Sequence, residues 1–299
     1  MDMQDHRQYY ESVRLNICRV LAAGGYLDHV KKCGSELERW RRYLEQISRP
    51  GYPSSGDPMI EPTIFPMMDG LSRTPWRDPS QLPATAILEN STAIFRRELA
   101  AVELSQYIRY PSVILANGQW TVLPIFAFGE NAGVALFSNN PFPETARIIE
   151  GLSDACPFLP LADFIFSAHA PGTHLTGHCS WDPFRLRLHL GIRIPENCRI
   201  RVGNETREWR EGKVLAFHDS HEHETWNDSN EPRVVLIVDL WHPDLTLAER
   251  RAILACVRKR EVRSMMMRTR APLELQPVFE RQFAAAEKND PLVREFWGR

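Results

Sequence analysis

The stretch Arg185-Leu-Arg-Leu-His-Leu-Gly-Ile-Arg-Ile194 alternates between apolar and polar side chains. Its apolar positions are Leu186, Leu188, Leu190, Ile192 and Ile194, and its polar positions are Arg185, Arg187, His189 and Arg193. Because successive side chains of a β-strand point to opposite faces, the stretch predicts a strand with one apolar and one basic face. The same pattern predicts further strands at 198–202, 206–209, 213–218 and 233–241. Together they indicate an all-β core of the antiparallel barrel or jelly-roll type, which can hold a ligand in its mouth.

Helices are predicted on both sides of this core. Residues 8–47 have helical periodicity, and Ser35 with Glu38 matches a capping box. Turn-forming residues at 49–62 indicate a linker. A second capping box, Thr246 with Glu249, opens a helix after the last strand. We therefore predict an N-terminal helical extension at 1–60, a β-domain at 61–250 and a helical tail at 251–299.

Local patterns before the core predict two more helices and a hairpin. Helical spacing of apolar residues extends over 84–105, and a short helix is expected near 143–152. Strand-like runs at 112–116 and 120–126 flank Asn117-Gly118, a pair that favours a two-residue turn. The sequence therefore predicts a β-hairpin at this point.

Composition excludes several classes of protein. The chain has 299 residues, 43% of them hydrophobic, and a net charge of -2. Such a balance gives no overall attraction to nucleic acid or to an anionic membrane.

The N-terminal residues lack the apolar core of a signal peptide, so we expect a cytoplasmic location. We interpret the basic run Arg258–Arg270 as a solvated helix face, with nucleic-acid contact as the alternative. Six cysteines without a CxxC pair are expected to be reduced thiols.

Histidines are concentrated in one part of the chain. Eight of the ten lie between His169 and His242, which indicates a metal site. His221-Glu-His223-Glu is not the HExxH pattern of zinc proteases, since its histidines are two residues apart. Arg233 follows His223 by ten residues and begins the next predicted strand. Two adjacent strands would bring a metal ligand and a guanidinium to one cavity.

A guanidinium at this place can bind a carboxylate in bidentate fashion, as a dicarboxylate that chelates a metal with its other end requires. Arg187 and His189, on the polar face of the 185–194 strand, add a second cation and a hydrogen-bond donor. The alternative is structural: both residues would pair with acids on a neighbouring strand.

The region that contains these residues has several motifs, which follow one another along the chain in this order: Pro171-Gly-Thr-His-Leu-Thr-Gly-His178, Arg185-Leu-Arg-Leu-His-Leu-Gly191, Asn204-Glu-Thr, Trp209 with Glu211-Gly-Lys213, Asp219-Ser, Glu222-His-Glu224 and Trp241-His-Pro-Asp-Leu-Thr246. This order resembles the aspartyl/asparaginyl β-hydroxylase family. The resemblance extends back to Gly70-Leu with Pro75-Trp76, and so covers about 65–250.

The resemblance implies a double-stranded β-helix that uses iron(II), dioxygen and 2-oxoglutarate. It makes His178 and His223 the metal ligands and the catalytic centre. It also implies that Arg233, with Ser167, holds the distal carboxylate of 2-oxoglutarate, and that Arg187 and His189 surround the chelating end.

The third protein ligand of most such oxygenases is an acid two residues after the first histidine. Here that residue is Ser180. The family also tends to lack this acid, so water is expected in its place, with Asp182 as the competing ligand. Cys179 is a less suitable ligand, because thiolate suits softer metals.

The implied reaction is hydroxylation of an unactivated C–H bond, with the β-carbon of an Asp- or Asn-like residue as the expected site. We expect a small-molecule or peptide substrate, or a carrier-bound precursor in natural-product tailoring, with no nucleic acid or membrane partner. Halogenation, desaturation, lipid acyl hydroxylation, a zinc hydrolase and a non-catalytic cupin-like carboxylate sensor are the alternatives. The N-terminal helices could cover the barrel or mediate homo-oligomer formation.

Overall fold

A computed structural model describes residues 3–51, 60, 64–103, 106–110, 114–137 and 139–298, with side chains from residue 8 onward. Its strands are β1 (Trp76–Arg77), β2 (Ile108–Arg109), β3 (Leu115–Asn117), β4 (Trp120–Ala127), β5 (Glu130–Asn131), β6 (Asp163–His169), β7 (Thr173–His178), β8 (Arg185–Arg193), β9 (Cys198–Val202), β10 (Glu205–Glu208), β11 (Val214–Phe217), β12 (His223–Asn227) and β13 (Arg233–Trp241). The four strands predicted after residue 194 are present, two with the predicted bounds and two that differ from them by one residue at both ends.

Two antiparallel sheets face each other. The large sheet has eight strands in the order β1-β11-β8-β13-β6-β4-β2, with β5 paired to β4. The small sheet has the order β10-β9-β12-β7-β3. Strands that are neighbours in the sheets are often distant in the chain, as in a jelly roll. The predicted fold class, a double-stranded β-helix with flanking helices, is confirmed.

Strand β8 has the two faces that its alternation predicts, and both are buried. Leu186, Leu188 and Leu190 pack in the core between the large sheet and the helices. Arg187 and His189 point the other way, into the space between the two sheets. The basic face is therefore the inner face of the barrel.

Helices cover the outer face of the large sheet. They are α1 (Met3–Ala23), α2 (Tyr26–Lys32), α3 (Glu38–Ile47), α4 (Pro83–Asn90), α5 (Thr92–Ala100), α6 (Ala132–Leu136), α7 (Pro143–Glu150), α8 (Leu247–Arg258), α9 (Arg260–Arg268), α10 (Gln276–Lys288) and α11 (Pro291–Trp297). Single turns of 3₁₀ helix lie at Gly34–Leu37 and Pro79–Gln81. The short helix predicted near 143–152 is present.

The N-terminal helices belong to the same core as the sheet. The Tyr26 hydroxyl donates to the Ala252 carbonyl of α8 at 2.6 Å. Trp40 packs edge-on against Phe184, with ring centroids 5.8 Å apart. Of the functions proposed for these helices, the structure shows packing on the back of the barrel. The predicted domain boundaries stay a prediction, and most of the linker at 49–62 lies outside the described residues.

Two helix predictions were wrong in detail. Ser35 does not cap a helix: it lies inside a 3₁₀ turn, and the N-cap of α3 is Leu37, which makes no side-chain cap bond. Glu38 instead pairs with Arg41 at 2.7 Å. The helix predicted over 84–105 is two helices that meet at Ser91, where the backbone leaves the helical region.

The predicted hairpin at Asn117-Gly118 was also wrong. Strand β3 pairs with β7 of the small sheet, whereas β4 pairs with β6 of the large sheet. The turn therefore carries the chain from one sheet to the other. Local sequence could not show this, because the course of the turn depends on contact with the neighbouring strand β7. A Cβ at Gly118 would lie 2.4 Å from the Thr173 hydroxyl of that strand.

The C-terminal part confirms one prediction and corrects another. Thr246 and Glu249 form the predicted capping box at the start of α8. The basic run is not a solvated face throughout, because Arg263 is 1% exposed and pairs with Glu130 at 2.7 Å. Arg270 likewise pairs with Asp163 at 2.7 Å. Distant acids of the same chain neutralise these cations.

Within the described part of the chain, no helix is long and apolar enough to cross a membrane.

Replacing Gly118 should destabilise the fold more than replacing a glycine in open space. Gly118→Ala adds a left-handed backbone cost (φ 79°) and a clash with Thr173, together roughly 2–4 kcal/mol. Gly172→Ala is the matched control: its φ is 71° but its Cβ would meet nothing within 4 Å, so we expect only about 1–2 kcal/mol. Denaturant unfolding measures both. Equal losses would contradict the placement of this turn.

Candidate active site

His178 and His223 lie opposite each other in the small sheet. His178 ends β7, His223 begins β12, and the two residues are direct partners across the strands. Their ring centroids are 4.1 Å apart. Facing positions on neighbouring strands thus bring together two histidines that are 45 positions apart in sequence.

Backbone carbonyls orient both imidazoles. The Nδ1 of His178 donates to the Thr176 carbonyl at 2.8 Å, and that of His223 donates to the His221 carbonyl at 2.9 Å. Each Nε2 then carries the lone pair, and neither has a hydrogen-bond partner among the described residues. Burial lowers the pKa of His178 to about 4 and also lowers the pKa of His223. Two neutral, oriented imidazoles suit a divalent metal ion.

No acid completes a set of three ligands here. In the described ranges, no group of three or more His, Cys, Asp or Glu residues is placed to hold a metal. The Asp182 carboxylate accepts from the Phe184 amide at 2.9 Å and from Arg185 Nε at 3.0 Å. Since Asp182 is already engaged, the geometry agrees with the Ser180 departure from the usual triad.

Arg233 carries a positive charge into the barrel without an acid to balance it. The residue is 1% exposed, and no carboxylate pairs with it within the residues that the structure describes. Its Nη1 donates to the Ser167 carbonyl at 3.3 Å, and its Nη2 donates to His169 Nδ1 at 2.5 Å. Burial lowers the pKa of Arg233 to about 9. A buried cation of this kind requires an anionic ligand for full stabilisation.

Trp209 connects Arg233 with His189. The Arg233 guanidinium lies 4.6 Å from the centre of the Trp209 ring, and His189 stacks on Trp209 with centroids 6.0 Å apart. Buried nitrogens of all three residues have no hydrogen-bond partner within the described ranges: Arg233 Nε, Trp209 Nε1, and both ring nitrogens of His189. Unused polar atoms that share one buried space indicate a binding cavity.

Arg187 has a different environment. It pairs with Asp163 and Asp239 at 2.7 and 2.8 Å, and with Asp219 at 3.2 Å. Asp239 is its direct neighbour on β13. Arg187 therefore has the acid partners that the structural alternative describes, whereas no acid among the described residues pairs with His189.

A family model described as Aspartyl/Asparaginyl beta-hydroxylase matches residues 89–243. The chain belongs to this family. The match lies inside the range of about 65–250 that the sequence motifs indicated, and it includes the predicted site residues His178, His189, His223 and Arg233.

Three curated relatives show how far the likeness extends. Aspartyl/asparaginyl beta-hydroxylase of Mus musculus is 35% identical over 196 residues, which is 62% of this chain and 26% of that protein. The Homo sapiens protein of the same name is 35% identical over 62% of this chain and 25% of its own length. Aspartate beta-hydroxylase domain-containing protein 2 of Rattus norvegicus is 30% identical over 68% of this chain and 60% of its own length. This chain thus spans about a quarter of the length of the first two relatives.

The structure brings the predicted residues Ser167, Arg187, His189 and Arg233 to the inner face of the large sheet. Strand register places Ser167 opposite Val235, two residues after Arg233. The residues that sequence reasoning missed are mostly aromatic: Trp209 over Arg233, and Trp120, whose Nε1 donates to the Ser167 hydroxyl at 3.1 Å. Each lies at the end of a strand-like segment, and Trp209 also belongs to one of the motifs that resemble the family, but neither signal identifies a site residue.

Two arginine variants should change stability in opposite directions. Arg233→Met removes an unbalanced buried charge, so without ligand the free energy of unfolding should rise by about 1–3 kcal/mol. Arg187→Met leaves three buried acids with one cation fewer, and the loss should be about 3–5 kcal/mol. Urea unfolding of the metal-free proteins measures both. A loss of stability in Arg233→Met equal to that in Arg187→Met would show that Arg233 has an acid partner.

Proposed function

We propose that this member of the family is an iron(II)- and 2-oxoglutarate-dependent dioxygenase that hydroxylates an unactivated C–H bond. The observation that supports this best is the guanidinium of Arg233, which pairs with no carboxylate in the described part of the chain and is buried in the same barrel as His178 and His223. A ligand that binds a metal at one end and carries a carboxylate at the other satisfies both features. 2-Oxoglutarate is such a ligand.

Each residue then has a role that follows from its surroundings. His178 and His223 hold the iron through Nε2, which their backbone hydrogen bonds leave free. Arg233, with Ser167, binds the distal carboxylate of 2-oxoglutarate. His189 offers an unused ring nitrogen to the chelating end, and Arg187 lies beside that end, where its acids hold its guanidinium in place. When bound, iron(II) and 2-oxoglutarate together activate dioxygen for C–H hydroxylation and yield succinate and carbon dioxide.

In this proposal the protein would supply no acid as a third ligand, and water would take its place. Asp182 is the competing ligand, but its carboxylate is held by Arg185 and by the Phe184 amide. Turning it toward the histidines would leave Arg185 with one acid fewer in a fully buried space.

For the substrate we propose the β-carbon of an Asp- or Asn-like residue, in a small molecule, a peptide or a carrier-bound precursor such as a natural-product intermediate. The name of the family supports the residue type. The barrel interior also excludes water from the centre, because the inner face of the large sheet is buried along β6, β8 and β13.

Metal binding is tested by two alanine variants and a matched control. Anaerobic iron(II) with 2-oxoglutarate should give the weak visible absorption band of their complex on the unaltered protein. His178→Ala or His223→Ala should abolish it, since one imidazole alone binds the metal too weakly. His174→Ala, which removes a histidine that pairs with Glu224 at 2.7 Å, should leave the band unchanged. A band that persists in both ligand variants would exclude these residues as the metal site.

A further inference from the structure

A small apolar pocket lies between the inner face of the large sheet and the C-terminal segment that follows α9. The sheet contributes Val122, Asp163 and Ile165, and the C-terminal segment contributes Arg270, Leu275 and Phe279. Its cavity volume is about 70 Å³. Most of its lining is aliphatic or aromatic, and its polar side chains are those of Tyr110, Asp163 and Arg270. The C-terminal residues lie outside the segment 89–243 that matches the family model.

Strand register connects this pocket with the proposed co-substrate cavity. Ile165 is paired with Ile237, and Ile237 is paired with His189. The three residues form one row across the inner face, so two strand spacings, about 10 Å, separate Ile165 from His189. The pocket and the proposed co-substrate cavity thus lie on the same face of the sheet, at a separation that one substrate residue and its neighbour can span.

Arg270 lies at the edge of the pocket, and only some of its N–H donors bind other residues of the protein. Its Nη2 donates to both oxygens of Asp163 at 2.7 Å, and its Nε donates to the Tyr110 hydroxyl. The guanidinium also lies 4.7 Å from the ring centre of Trp181, three residues after His178. No described residue accepts a hydrogen bond from Nη1, and the side chain is 21% exposed. Two N–H donors of Arg270 are thus available to a ligand.

The charge around Arg270 selects the kind of acceptor. Arg270 belongs to a buried network of three arginines and four aspartates: Arg185, Arg187, Arg270, Asp163, Asp182, Asp219 and Asp239. The network has no spare positive charge, so an added carboxylate would meet Asp163 without a new cation. A neutral amide carbonyl accepts from Nη1 without this repulsion.

We propose that an apolar group next to the hydroxylated residue occupies this pocket, and that Arg270 Nη1 donates to the amide carbonyl that links the two. This inference rests on the proposed function and adds to it a subsite for the group next to the hydroxylated residue. Free aspartate lacks both the apolar neighbour and the amide, and is a poor substrate. Arg270 and Leu275 are specificity residues contributed by the C-terminal segment.

Three probes test the inference: acetyl-Leu-Asp-Leu-amide, acetyl-Ala-Asp-Ala-amide and free aspartate. Leucine on both sides makes the test independent of peptide direction. The measurement is succinate release with iron(II), 2-oxoglutarate and oxygen, together with binding of each probe by saturation-transfer NMR with and without metal. The leucine peptide should have a KM about 10- to 100-fold below that of the alanine peptide, because one buried Leu side chain accounts for such a ratio. Free aspartate should give no stimulation.

Two pairs of variants locate the effect. Leu275→Trp should fill the pocket and remove the preference for leucine, whereas Leu273→Trp, at a position that is 80% exposed and outside the pocket, should retain it. Arg270→Lys keeps a cation beside Asp163 but loses the free donor, so KM for both peptides should rise about tenfold with little change in KM for 2-oxoglutarate. Arg268→Lys, at an exposed arginine paired with Glu280, should change neither constant.

The outcomes separate this inference from the proposed function. If the iron and 2-oxoglutarate absorption band forms but the two peptides bind and react equally, or neither does, the pocket assignment is overturned. If the band never forms but the leucine peptide still binds more tightly, and Leu275→Trp abolishes that preference, the proposed function fails and the pocket assignment stands. In Arg270→Lys, the KM for 2-oxoglutarate could instead increase as much as the KM for the peptides. Arg270 would then act by positioning Arg187, and its role in substrate recognition would be overturned.

Discussion

A guanidinium buried without an acid is the constraint on which the barrel interior depends. Among the described residues, the hydrogen-bond and ring partners of Arg233 are neutral: the Ser167 carbonyl, the His169 ring and the face of Trp209. At Asp239, six residues further along β13 and about 20 Å away, the charges are balanced by arginines of β8. The charges at the Asp239 end of the strand are thus paired, whereas the charge of Arg233 at the other end is not. Arg233 requires an anion, and a bound carboxylate would supply it.

Sequence patterns predicted the parts of the fold that depend on local alternation. Strand β8, strand β13 and the Thr246 capping box follow from side-chain spacing alone. The Asn117-Gly118 turn was wrong because it joins strands of two different sheets, and pairing partners distant in the chain decide that. Ser35 with Glu38 shows the same limit: two residues with the right spacing do not make a cap when the preceding turn is 3₁₀.

The sequence predicted about as much of the site as it did of the fold. Histidine clustering and the spacing from His223 to Arg233 indicated a metal site beside a cation, and the structure places both residue types inside the barrel. What the sequence could not provide was charge balance, since the acids of the Arg187 network come from three separate segments. Arg270 was interpreted as part of a solvated face for the same reason. Its partner Asp163 is 107 residues away.

The most direct test of the account compares 2-oxoglutarate with 2-oxovalerate, which has the same chelating end and a methyl group in place of the distal carboxylate. Anaerobic titration of the iron(II) protein, followed by the visible absorption band, gives the half-saturating concentration of each acid. We expect 2-oxoglutarate to bind at least about 100-fold more tightly, because two charge-assisted hydrogen bonds to Arg233 depend on its carboxylate. Arg233→Met should make the two acids equal. Equal half-saturation on the unaltered protein would contradict the account.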